Sequence, residues 1–134
     1  MLGEQIGNSK GRVTLQRVLP SDGGAPKMET SFQTTGSILG VATSETGTYW
    51  ARMRPDGTLY GEGQGVVMGA NGESASWVGQ GVGKLQKNGA VSYRGAIYVQ
   101  TAAPAWAKLN SLACLFEYEV DALGATQSTL YEWK

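Results

Sequence analysis

Histidine is absent from this chain, cysteine occurs once, and no apolar stretch approaches the length of a membrane helix. Each shortage closes a route. Without imidazole there is no ordinary general base near neutral pH, none of the commonest zinc ligand, and no Ser-His or Cys-His nucleophile pair. Cys114 alone makes neither an intramolecular disulfide nor a thiolate metal centre. Its neighbours Leu112, Ala113, Leu115 and Phe116 are those of a small buried hydrophobe, whereas a reactive thiolate needs an electropositive, accessible setting. No cofactor and no metal are expected.

Excess charge of either sign is also missing. Eleven Lys and Arg balance eleven Asp and Glu, and the cations are scattered, so nucleic acid and anionic membranes are poor partners. Residues 1–11 lack the apolar run of a secretory signal, and no segment reaches the ~18 apolar residues of a membrane span, so a cytoplasmic chain is predicted. The 41% hydrophobic fraction excludes a disordered polymer, and 134 residues predict one domain over 1–134.

What the chain has in excess is glycine, 20 residues and roughly twice the usual share. Turn signals stand at Asp22-Gly23-Gly24, Glu45-Thr46-Gly47, Pro55-Asp56-Gly57, Asn71-Gly72, Asn88-Gly89 and Leu123-Gly124. Between them lie segments rich in Val, Thr, Tyr and Trp. The clearest alternation sets Leu112, Cys114, Phe116, Tyr118 and Val120 against Glu117, Glu119 and Asp121, the pattern of a half-buried antiparallel strand. Strands are expected at 11–19, 27–35, 37–45, 48–54, 58–69, 74–87, 90–101, 111–121 and 125–134, with a helical turn only within 102–110. Consecutive strands joined by short hairpins form a meander, and closing a meander removes its two free edges. The expected fold is all-β, a single eight-stranded, or nine-stranded, antiparallel up-and-down barrel.

Two alternating triplets stand out, Gly61-Glu62-Gly63-Gln64-Gly65 and Gly79-Gln80-Gly81-Val82-Gly83. They are not nucleotide motifs. Met68, Lys84 and Gln86 occupy positions where a dinucleotide fingerprint needs its third glycine, and Val78 stands where a phosphate-binding loop ending at Gly83-Lys84 needs its first. Alternate residues of a strand share a face, so each triplet strips one face of side chains. If Asn71-Gly72 and Asn88-Gly89 are two-residue turns, Gly61, Gly63 and Gly65 lie opposite Val82, Gln80 and Val78, with Gly95, Ile97 and Val99 beyond. That face is apolar and is predicted to line the barrel. The other carries Gly79, Gly81 and Gly83 with Glu62, Gln64 and Arg94, and is predicted to face outward.

This register sends Gln80, Tyr93 and Tyr118 inward as polar points among apolar walls. They either satisfy one another in a filled core or orient a guest in a cavity. Glu62, Glu117, Glu119 and Glu132 fall on polar faces, with Arg94 near Glu117 or Glu119 as an exposed pair. Tyr60, Val66, Met68, Trp77 and Tyr98 fall outside, a surface suited to a homodimer.

The segments 60–84, 93–101 and 115–124 and the terminal Tyr131-Glu132-Trp133-Lys134 together resemble a small bacterial family of unknown function. Its members look like barrels of the allene oxide cyclase type, shared more distantly with plant dirigent proteins. The resemblance implies the barrel and places no catalytic residue. Three functions remain open: a cofactor-free barrel binding a small, mostly apolar molecule through Gln80, Tyr93, Ile97, Phe116 and Tyr118; a metal-free cyclase or isomerase; and an interaction protein acting through a dimer surface. Whether the chain is an enzyme at all stays undecided at this point.

Overall fold

The structure, a computed structural model, describes residues 2–134. Eight antiparallel strands close into one barrel in sequence order: β1 Leu2–Val18, β2 Lys27–Ile38, β3 Val41–Met53, β4 Leu59–Gly69, β5 Ser74–Leu85, β6 Val91–Thr101, β7 Cys114–Val120 and β8 Ala125–Trp133. β1 closes the ring by pairing with β8 as well as β2, so no strand is left with an open edge. A 3-10 helix, Pro104–Ser111, interrupts the β6 to β7 connection. Among the described residues no helix is long and apolar enough to cross a membrane.

The meander fits the composition, with differences that have local causes. β1 begins at Leu2 rather than at 11, because its first residues offer Ile6, Gly7 and Ser9 to the interior, and small groups there tolerate a crowded wall. The expected strands 37–45 and 48–54 are one strand, β3. Glu45-Thr46-Gly47 is no turn; Gly47 lies opposite Phe32, and a Cβ on it would run into the Phe32 ring. The true turn is Leu39-Gly40, where φ is 48° and 80° and Ile38 pairs with Val41, the two-residue geometry whose twist matches a hairpin.

The remaining tight hairpins share another form. Gly69 N–H donates to Glu73 O (2.8 Å) and Gln86 N–H to Ala90 O (2.8 Å), leaving the three-residue loops 70–72 and 87–89. Gly72 and Gly89 take φ of 91° and 88°, while Asn71 and Asn88 do not enter the positive region. A type I turn closed by a left-handed glycine adds one residue relative to the expected turns and shifts each register by one. Gly61 therefore faces Gly81, Gly63 faces Gly79, and Gly81 faces Gly95. The two shifts cancel between β4 and β6, whose faces stand as expected. Only β5 is inverted: Gly79, Gly81, Gly83 and Trp77 point in, while Val78, Gln80 and Val82 point out, Val82 being 46% exposed.

Successive turns alternate between the two ends of the barrel. At the end holding Leu39-Gly40 and the loop 70–72, the 3-10 helix folds across the mouth. Trp106 and Leu109 are wholly buried there, as is Cys114, against Ile6, Val67, Ala75 and Leu130. Trp106 Nε1–H donates to Ile38 O at 3.2 Å, so the indole enters the core with its polar atom satisfied. Burying side chains of this size stabilises by about 2–3 kcal/mol each. The burial of Cys114 also raises its thiol pKa, with Glu132 adding to the effect, which suits an unreactive packing residue.

Candidate functional site

Glycine makes space in the middle of the barrel, and large side chains from neighbouring strands use it. The inward row running across β3 to β7 reads Ala51, Gly61, Gly81, Gly95 and Phe116; the row beside it reads Tyr49, Gly63, Gly79 and Ile97. A Cβ on Gly65 would strike the Trp77 indole, and one on Gly83 would sit 2.7 Å from the Tyr93 ring. The glycines on β4 and β5 are thus the floor on which aromatics lie, a large-against-small fit usual inside small barrels.

Those aromatics form a cluster toward the end opposite the helix. Phe32 and Tyr118 rings lie 5.6 Å apart, Tyr49 and Tyr93 5.7 Å, and Tyr49 and Tyr118 5.9 Å, the last two edge-on. Edge-to-face contacts of this kind add to area burial. The cluster is not electrically satisfied. Tyr118, only 9% exposed, has Oη buried with no well-formed hydrogen bond among the described residues, and Thr126 Oγ1 is in the same condition. Tyr49 lies beside Tyr118, and their hydroxyls interact in the sense of a weak hydrogen bond from Tyr118 to Tyr49, which raises the Tyr118 pKa and offsets part of the rise that burial gives Tyr49, without giving Tyr118 Oη a well-formed partner. Burial first, then the neighbouring Tyr49, drives both the Tyr93 and the Tyr118 phenols far above the ordinary tyrosine range. They are neutral hydroxyls at any working pH.

Between cluster and cap stands one carboxyl group. Glu45 faces inward on β3, where Trp77 Nε1–H donates to Oε2 at 2.6 Å and Thr34 Oγ1 donates to Oε1 at 3.1 Å. Burial raises its pKa, while the hydrogen bonds from Trp77 and then Thr34 pull it back. Its field reaches the phenol of Tyr118. A second acid, Glu132, expected on a polar face, pairs across from Cys114 and is largely covered, with Lys108 Nζ at 3.8 Å.

These groups border a cavity of about 130 Å³. Glu45, Trp77, Tyr49, Tyr118, Phe116 and Leu130 are among its walls, with Gly63, Gly79 and Gly81 beneath. Of the residues expected to line it, Tyr93, Ile97, Phe116 and Tyr118 are brought together. Gln80 is the correction. It borders the same space, but its side chain is exposed on the outer face of β5, since Gly79 and Gly81 take the inward positions. Trp77, expected outside, is an interior group, while Tyr60, Val66, Met68 and Tyr98 stand on the outer face as expected, joined there by Val78 and Val82. Glu45, Tyr49 and Trp77 were missed. A turn was read at Glu45, and the local signal that could have corrected it is the alternation of Thr43, Glu45, Gly47, Tyr49 and Ala51 through the supposed turn.

On the outer wall Arg94 behaves as expected, with Glu119 Oε2 at 2.6 Å from Nη1 and Glu117 Oε2 at 3.8 Å from Nε. All three side chains are about half exposed, and ion pairs in water contribute little.

No family model matches the chain, and no curated protein matches it. Solved structures do. A protein of unknown function from Clostridium acetobutylicum superposes with a TM-score of 0.83 at 12% identity, covering 98% of both chains. A conserved protein of unknown function from Rhodopseudomonas palustris gives 0.82 at 10%, covering 98% of this chain and 97% of that one. A β-barrel-like protein from Acinetobacter baumannii gives 0.83 at 10%, covering 100% and 96%. At such identities the likeness establishes a shared fold: the chain is an eight-stranded barrel of the kind found in these bacterial proteins.

Proposed function

We propose that the protein binds a small, mostly apolar molecule inside its barrel. The observation that carries this reading is the cavity itself, about 130 Å³, floored by glycine and walled by aromatic and aliphatic groups with few polar points. An apolar cavity of roughly 150 Å³ accommodates benzene, whereas sites for drug-sized ligands begin near ~300 Å³. The guest is therefore about one ring in size. The lone buried cysteine is in keeping with a reducing, cytoplasmic compartment. Toluene titrated into protein labelled at Ile and Leu methyls tests the reading: saturable shifts at Ile97 and Leu130 are expected. Unmoved methyls at both positions with every one-ring probe, charged or neutral, up to its solubility would reject it.

Glu45 favours a second reading, an isomerase or cyclase of the type the allene oxide cyclase resemblance implies. A carboxyl group whose pKa is raised in an apolar setting is how a general base is tuned. The substrate would still have to fit one ring's volume, far short of a fatty acyl chain. Deuterium exchange next to the carbonyl of cyclohexanone in D2O, accelerated by the protein and lost in Glu45→Gln, is the expected result. Equal exchange with both proteins would remove this reading.

A further inference from the structure

Three features of the interior bear on what kind of guest it takes. The first is charge. Trp77 Nε1–H can only donate, Thr34 Oγ1 donates to the other carboxyl oxygen, and both bonds favour the ionised form of Glu45. No cation answers it. The ion pairs among the described residues join Arg17 to Glu29, Arg94 to Glu117 and Glu119, and Lys108 to Glu132, and none involves Glu45. Glu45 is only partly exposed, and an anion drawn out of water without a counter-charge is costly, the usual remedy being a cation in contact.

The second feature is the unsatisfied hydroxyl. Tyr118 borders the same cavity as Glu45, and its buried Oη has no well-formed hydrogen bond and a free acceptor position. The third is the surrounding ring faces. Tyr49, Tyr93, Tyr118 and Trp77 border the space, and aromatic faces attract organic cations, most strongly where water is excluded. A neutral hydrocarbon would use the volume and leave the first two features unanswered. An anion would be repelled by Glu45.

Resting on the binding reading above, we infer that the guest is a small organic cation: an ammonium group set between the Glu45 carboxylate and Tyr118 Oη, on an apolar body no larger than one ring. The ammonium donates to both oxygens and lies against the tyrosine faces. The ring rests on the glycine floor beside Ile97, Phe116 and Leu130. Specificity comes from charge at one pole and from volume everywhere else.

The test compares benzylammonium, toluene and benzoate, three probes of similar size and different charge, by methyl shifts and calorimetry at neutral pH. Benzylammonium is expected to bind at least about tenfold more tightly than toluene, because a charge-assisted hydrogen bond to a buried group contributes that much. Benzoate should not bind. Glu45→Gln should abolish the preference for benzylammonium over toluene, and Tyr118→Phe should weaken benzylammonium several-fold. If toluene matches or exceeds benzylammonium in the native protein, or the preference survives in a folded Glu45→Gln variant, the cation inference is overturned and the binding reading stands. If none of the three binds, the binding reading itself falls. Should Glu45→Gln fail to fold, the three-probe comparison on the native protein decides alone.

Discussion

The two halves of the barrel interior are built on different terms. Under the 3-10 helix, Trp106, Leu109 and Cys114 are fully buried, and the one indole N–H among them is bonded to Ile38 O. Toward the other end, Phe32, Tyr49, Tyr93 and Tyr118 crowd together with Tyr118 Oη unpaired, next to a buried carboxylate and an open volume. The first half is packed for stability. The second holds polar groups that packing alone gives no reason to bury, and natural proteins retain such groups where something else is bound or positioned.

If that contrast is right, the largest loss should come from the cap. Trp106→Ala removes the largest fully buried side chain and should cost about 3–5 kcal/mol in urea unfolding, by transfer and cavity terms together. A loss below about 1 kcal/mol would mean the helix is not part of the core. Gly47→Ala comes next. Its new methyl meets the Phe32 ring, so about 1–3 kcal/mol should be lost by overpacking at the tyrosine end.

Tyr118→Phe should go the other way. Deleting a buried hydroxyl that makes no well-formed hydrogen bond, without changing the shape of the ring, should raise stability in the ligand-free protein by about 1 kcal/mol. A measured loss would show that the hydroxyl is satisfied, and the contrast between the two halves would blur. The smallest effect is that of pH on Glu45. Its folded pKa is raised above the ordinary carboxyl value, so the folded state binds the proton more tightly than the unfolded one. The contribution is therefore fully present below that ordinary value and is lost as pH rises through the raised one. The melting temperature of Glu45→Gln relative to the native protein should climb across this interval and stay flat outside it. A difference that shrinks with rising pH would mean that hydrogen bonding, and not burial, dominates at Glu45.

How far the site was legible is clearest on β5. Its triplet of glycines, its length and its neighbours could all be read in sequence, and Gly61, Gly63, Gly65, Tyr93, Ile97, Phe116 and Tyr118 were placed on the correct face. Gln80 and Trp77 exchanged faces because an Asn-Gly pair suits both a two-residue turn and the end of a three-residue one. The difference is a single residue, and side-chain orientation in a strand has period two. Glu45 was hidden for a related reason. Glu-Thr-Gly resembles a turn until Phe32, 15 positions earlier, is known to fill the space above Gly47.

The sequence by itself determined that this is a β-meander without imidazole chemistry. Those properties reside in composition and in short-range alternation, which every segment carries locally. Closure through β1 and β8, the inward turn of β5 and the meeting of Glu45, Trp77 and Tyr118 were decided only in three dimensions. Each depends on which strands lie side by side and on the volume left between them, and long-range pairing sets both.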